Sequence, residues 1–138
     1  MVSPGIKTEK NKSGLQNILV IDDDEDILHT SQSVLRTEKY NVKSFSNPAV
    51  ALMHFMAIEP YFYGLVNMDI RMPNMSGIQL YYKLKAIDPY INVLLVTALD
   101  AVKKWIDALP GIEIDSIVKK PVSRDEFIEK VRSMLTVK

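Results

Sequence analysis

Leu65-Val66-Asn67-Met68-Asp69-Ile70-Arg71-Met72-Pro73-Asn74-Met75-Ser76-Gly77 is the stretch on which the reading of this chain turns. Leu65, Val66 and Met68 form an apolar run that carries one acid, Asp69, to its far end. The residues from Ile70 to Gly77, with Pro73, Asn74 and Gly77 among them, have turn composition. A carboxylate that ends an apolar strand is costly to bury and needs a reason to be there.

On the N-terminal side, residues 1–16 are polar and aperiodic and read as a flexible tail. Asn17–Ile21 is a short buried-type strand that runs into the acidic turn Asp22-Asp23-Asp24-Glu25-Asp26. Asp24 or Asp26 caps the helix that follows, whose face carries Ile27, Leu28, Ser31, Val34 and Leu35. Asn41–Phe45 reads as a weak second strand. Ser46-Asn47-Pro48 starts a second helix with its proline at the first helical position, and Val50, Leu52, Met53, Phe55, Met56 and Ile58 are its apolar residues. The third strand is expected over Tyr63–Asp69.

On the C-terminal side, Ser76 caps a third helix bearing Ile78, Leu80, Tyr81, Leu84 and Ile87. Ile91–Val96 is a fourth strand ending at Thr97-Ala98. Val102, Trp105, Ile106 and Leu109 mark a short fourth helix, and Ser116–Val118 a brief fifth strand running to Lys119-Lys120-Pro121. Ser123 and Glu126 form a capping box for a fifth helix with Phe127, Ile128, Val131, Met134 and Leu135 on one face. Apolar strands alternating with helices predict βαβ units: a doubly wound α/β fold with a five-stranded parallel sheet between two layers of helices, five in all.

The bulk numbers set limits. The 138 residues suffice for one domain, 17–138 after the tail, and 47% hydrophobic with 25% charged residues is ordinary globular composition. With 17 basic and 17 acidic residues the net charge is zero, so no overall field favours nucleic acid or an anionic membrane. There is no cysteine, which excludes disulfides and thiolate chemistry. No apolar run approaches a membrane span, and the expected location is cytoplasmic.

In an open parallel sheet, ligands gather outside the carboxyl ends of the strands. Those ends carry Asp22 and Asp23, Asp69, Thr97 and Lys120. Clustered carboxylates repel, and a hard divalent cation such as Mg²⁺, or Mn²⁺ in its place, relieves that repulsion. Asp69 is then expected to act as a nucleophile that accepts a phosphoryl group. The cation, the Lys120 ammonium and the Thr97 hydroxyl would each meet one phosphoryl oxygen, since catalysis of such transfer rests on positioning and electrostatics.

Taken together, from Asn17 to Lys138 the chain resembles the CheY-like receiver domain of two-component response regulators. The resemblance rests on the acidic pair Asp22-Asp23, on Asp69 with its DIRMPNMSG turn, on Thr97 and on the Lys120-Pro121 pair, in order and at the family's spacing. It implies the flavodoxin-like strand order 2-1-3-4-5. It also implies a phosphoacceptor at Asp69 and a metal held by Asp22, Asp23, Asp69 and the backbone carbonyl of Arg71. The donor implied is a sensor histidine kinase or a phosphotransfer protein. The signal would leave through the face formed by the fourth helix, fifth strand and fifth helix, including Lys103, Lys104, Trp105, Asp107, Arg124 and Glu126, toward an output protein, with the chain a monomer or a phosphorylation-dependent dimer. Direct nucleic-acid or membrane contact is not expected.

The chain also departs from the family's pattern. Ile117 stands where receivers carry an aromatic three residues before the lysine, so an aromatic rotamer switch does not carry over. Arg71 and Leu99 occupy positions that tune loss of phosphate, and neither can orient a water, which implies slow self-dephosphorylation.

Other functions fit less well. Aspartyl-phosphate hydrolases want an acid where Arg71 stands, and a flavin site wants a phosphate loop where the acidic run stands. A phosphate-independent scaffold would have no use for a complete pocket. His29 and His54 read as structural, the methionines at helical spacing as core, Lys119 as surface, and Trp105 as either sheet packing or a partner anchor.

Overall fold

The computed structural model describes residues 16–70, 77–98, 117–120 and 122–136. Five strands, β1 (Asn17–Ile21), β2 (Asn41–Phe45), β3 (Leu65–Asp69), β4 (Asn92–Ala98) and β5 (Ile117–Lys120), form one parallel sheet in the order β2-β1-β3-β4-β5. Four helices are described: α1 (Glu25–Thr37), α2 (Pro48–Ala57), α3 (Gly77–Ile87) and α4 (Arg124–Thr136). The predicted helix over 102–109, with Trp105, and the predicted cap Ser76 lie outside the described residues.

The strand residues alternate between two cores, as a sheet covered on both faces requires. Leu19, Ile21, Val66, Met68, Val93 and Leu95 pack toward α2 and α3, against Phe55, Leu80 and Leu84. Ile18, Val20, Leu65, Leu94, Val96 and Val118 pack toward α1 and α4, against Leu28, Leu35, Phe127 and Val131. The result is a three-layer α/β/α arrangement.

Local chemistry sets the helix starts. Asp24 is the N-cap of α1, accepting hydrogen bonds from Asp26 N at 3.0 Å and Ile27 N at 3.2 Å. Asn47 caps α2 in the same way, with Pro48 at the first helical position. Ser123 Oγ accepts from Glu126 N at 3.1 Å ahead of α4. At the other end of the molecule, Asn92 Nδ2 donates to the carbonyls of Gly64 and Met134, both at 3.2 Å. This ties the end of α4 to the edge where β3 and β4 begin.

Two expectations are corrected. β3 begins at Leu65, not Tyr63: Tyr63 is buried, but it packs among Phe55, Phe62 and His54 and bonds His54 Nε2 through its hydroxyl at 2.6 Å, outside the ladder. Met53 and Met56, read as core, are 68% and 64% exposed. The helix PAVALMHFMA is apolar nearly all round, and the stripe that meets the sheet is Pro48, Ala51 and Phe55.

Candidate functional site

The strand register brings the predicted polar groups to one edge. Asp22 follows the last residue of β1, and its backbone N–H donates to Phe45 O at 3.2 Å, continuing the β1–β2 ladder. Asp69 ends β3 and pairs with Val96; Thr97 is next along β4 and pairs with Lys119; Lys120 closes β5 opposite Ala98. Asp22, Asp69 and Thr97 are buried, whereas Asp23 is exposed. The backbone carbonyl of Arg71, with Leu99 and Pro121, lies outside the described residues.

One oxygen from each of Asp22, Asp23 and Asp69 lies within 4.8 Å of the others. Two buried acids and one exposed acid at that separation suit a hard, partly hydrated divalent cation reached from solvent. Lys120 Nζ donates to Asp69 Oδ2 at 3.1 Å and stands 3.9 Å from Asp22 Oδ2. Asp24 N donates to Asp22 Oδ1 at 3.0 Å. Burial raises the Asp22 pKa from 3.8 to about 6. The Asp24 N–H and Lys120 oppose the rise, and the charges of Asp69 and Asp23 add to it.

Thr97 is fully buried, and its Oγ1 has no hydrogen-bond partner among the described residues. An unsatisfied buried hydroxyl costs about 1–3 kcal/mol. That cost fits a hydroxyl held for an acceptor arriving at the site.

Gly77 was not singled out by the sequence reading beyond its place in the turn. Its N–H donates to Ile70 O at 2.7 Å. A Cβ there would sit 2.4 Å from Asp69 O and 2.5 Å from Ile70 Cα. α3 therefore starts in direct contact with the backbone that carries Asp69, an approach only glycine permits.

Asn67 is the second residue the sequence reading passed over. It is 4% exposed, and its Oδ1 has no partner among the described residues. The available signal was a lone amide within an otherwise apolar strand. Ile117 is half-buried against the core on the α2–α3 side. Arg124, expected on the output face, donates to Thr37 Oγ1 of α1 at 3.0 Å and lies 3.8 Å from Glu38. Lys119 and His29 are exposed. No described helix is long and apolar enough to cross a membrane.

Comparison with known proteins agrees with this architecture. The family model of the response regulator receiver domain matches residues 18–132. The C4-dicarboxylate transport transcriptional regulatory protein DctD of Rhizobium meliloti is 32% identical over 120 residues, covering 87% of this chain and 25% of that protein. The probable transcriptional regulatory protein TcrX of Mycobacterium tuberculosis is 31% identical, covering 86% of this chain and 49% of that protein. The chain thus spans a quarter to about half the length of these curated relatives. Among solved structures, a CheY-like receiver domain protein from Methanospirillum hungatei superposes with a TM-score of 0.73 at 27% identity, covering 88% of this chain and 94% of that one. A receiver domain protein from Clostridium thermocellum shares the fold with a TM-score of 0.76 at 24% identity, covering 87% and 94%. With sheet order, edge chemistry and family match in agreement, the chain belongs to the response regulator receiver domains of two-component phosphorelay signalling.

Proposed function

We propose that Asp69 is the phosphoacceptor and that residues 17–138 form the receiver unit. The observation that carries this reading is the Lys120 ammonium 3.1 Å from Asp69 Oδ2, within a cluster of three carboxylates at one sheet edge. In the transfer, an Asp69 carboxylate oxygen bonds to phosphorus. The bond from phosphorus to a donor histidine nitrogen breaks, and the imidazole leaves with its electron pair and takes up a proton. Asp22, Asp23, Asp69 and the Arg71 carbonyl would hold Mg²⁺, or Mn²⁺, which neutralises charge on the transferred group when bound. Lys120 moves its hydrogen bond from the Asp69 carboxylate to a phosphoryl oxygen. Thr97 donates its unpaired hydroxyl to another.

The donor is a sensor histidine kinase or a phosphotransfer protein. The readout is a surface that includes β5 and α4, presented to an output domain or protein. The relatives named as transcriptional regulators make a DNA-binding output one destination, reached through a segment other than this one. The chain is a monomer or a phosphorylation-dependent dimer, acts in the cytoplasm, and has no enzymatic activity beyond its own phosphorylation and dephosphorylation. Arg71 and Leu99 make the latter slow; timed loss of phosphate tests this, and a half-life of seconds would refute it.

Phosphorylation is tested by intact-mass measurement after treatment with acetyl phosphate and Mg²⁺. Wild type gains one phosphoryl group and Asp69→Asn gains none. An unchanged wild-type mass, with donor and metal shown competent on a control receiver, overturns the reading.

A further inference from the structure

The two faces of the sheet carry helices of opposite surface chemistry. α1 and α4 turn acids and bases outward together, Glu25, Asp26 and Arg36 on the first and Arg124, Glu129 and Arg132 on the second. α2 and α3 contain no acid over 10 and 11 residues, and their only lysines or arginines are Lys83 and Lys85. Every large hydrophobic side chain exposed among the described residues lies on α2, on α3 or in the connections that follow them. Met53, Met56 and Tyr90 are the most exposed, Tyr90 at 83%. Apolar side chains gathered on one side of a small domain mark a docking surface. α2 and α3 pack side by side and run in the same direction, each linking two parallel strands, so their outer faces flank one groove. Met53 and Met56 stand one turn apart on α2, and Lys83 and Ile87 one turn apart on α3. Tyr61 and Tyr90 follow the ends of the two helices, and Tyr61 is held exposed at φ 63°, a conformation that disfavours a bulky side chain.

We propose that the α2–α3 face docks an amphipathic helix of a partner protein, one whose apolar stripe is flanked by Asp or Glu. Charge selects that occupant. Lys85 is committed, donating to Ile91 O at 2.6 Å and lying over the Tyr81 ring. Lys83 is exposed and has no partner among the described residues. Glu59 lies beyond the end of α2, and Asp88 is buried and accepts from Tyr90 N. The two helices thus offer an apolar surface and an unmatched cation, which an acid beside an apolar helical stripe complements. A second copy of the same face would bring Lys83 against a surface with no acid of its own. An anionic membrane calls for a cluster of about four to eight basic residues, more than these helices carry. Methionine side chains adapt to the shape of such a partner. The proposal does not depend on phosphorylation of Asp69.

Two synthetic helical peptides of about five turns serve as probes. Both carry a leucine stripe, flanked by Glu in one and by Lys in the other. Each is titrated into the ¹⁵N-labelled chain and followed by amide shifts. The Glu-flanked peptide is expected to give saturable shifts at Met53, Met56, Lys83 and Ile87, and the Lys-flanked peptide to bind about fivefold more weakly. Lys83→Glu is expected to reverse that order. Met53→Gln with Met56→Gln, both at exposed positions, is expected to weaken both peptides at least about tenfold. The proposal is overturned if wild type shows no saturable shifts at those residues, or if Lys83→Glu leaves the order of the peptides unchanged. It is also overturned if sedimentation finds the free chain dimeric, or bound to anionic vesicles, and the double Gln variant abolishes that association, since the face then belongs to a second copy or to lipid.

Discussion

Replacing Asp22 by asparagine sets the stability of the fold against the needs of the site. Asp22 is 5% exposed, and burial holds its pKa at about 6 rather than 3.8. The native state therefore binds the Asp22 proton more tightly than the unfolded chain does. The stabilisation from that proton is complete below pH 3.8 and is lost as pH rises through about 6. The difference corresponds to about 3 kcal/mol at pH 8. Asparagine keeps the side-chain oxygen that accepts from Asp24 N and leaves Lys120 its bond to Asp69. It has no charge to desolvate. Urea denaturation without divalent ions should find Asp22→Asn more stable than wild type by up to about 3 kcal/mol at pH 8, with the two close to equal at pH 4. Adding Mg²⁺ at pH 8 should raise the wild-type midpoint and leave that of Asp22→Asn largely unchanged. A proton on Asp22 would compete with a metal held there, so wild-type Mg²⁺ affinity should fall as pH drops below about 6. Equal stabilities at pH 8, or a gap that does not narrow toward pH 4, would refute the reasoning.

Three further substitutions probe other parts of the structure. Gly77→Ala forces a Cβ to within 2.4 Å of Asp69 O; a loss of about 1–3 kcal/mol in denaturation is expected from overpacking, with a fall in acetyl phosphate labelling because the Asp69 backbone must shift. Thr97→Val replaces an unpartnered buried hydroxyl with a methyl group; stability should hold or rise by about 1 kcal/mol while acetyl phosphate labelling slows, and a large loss of stability would show that the hydroxyl has a structural partner. Asp24→Ala removes the α1 cap and should cost about 1 kcal/mol by thermal or urea unfolding, with labelling at saturating Mg²⁺ nearly unchanged.

Most of the scaffold can be read from the residues because its signals are local. β1 and β2 have the bounds read from the residues, and the caps Asp24, Asn47 and Ser123 mark the starts of α1, α2 and α4. The convergence of Asp22, Asp23, Asp69 and Lys120 follows once the strands are parallel, since each of these residues ends or follows a strand. What escaped depends on tertiary contact. Periodicity could not say which side of the uniformly apolar α2 is buried, so Met53 and Met56 were misplaced. The Tyr63–His54 bond links residues far apart in the sequence, and no local pattern announces it. Gly77 looks like any turn glycine until the backbone of Asp69 and Ile70 is seen against it. The cost of Asn67 depends on both faces of β3 being covered.

The contacts of Asn92 bear on how motion at the carboxylate cluster travels. The amide fastens the end of α4 to the sheet edge where β3 and β4 start, whereas the first turn of α4 stands beside Lys120 and the carboxylates. The 13 residues of α4 extend about 20 Å between those points. Phe127, Val131 and Leu135 also hold the helix in the core along its inner face, so a displacement of Lys120 that reached its first turn would leave its far end as no more than a small rotation. A reporter fused after the helix would sense that rotation rather than the displacement itself, and loosening the pivot with Asn92→Ala would change the size of its signal without touching the site.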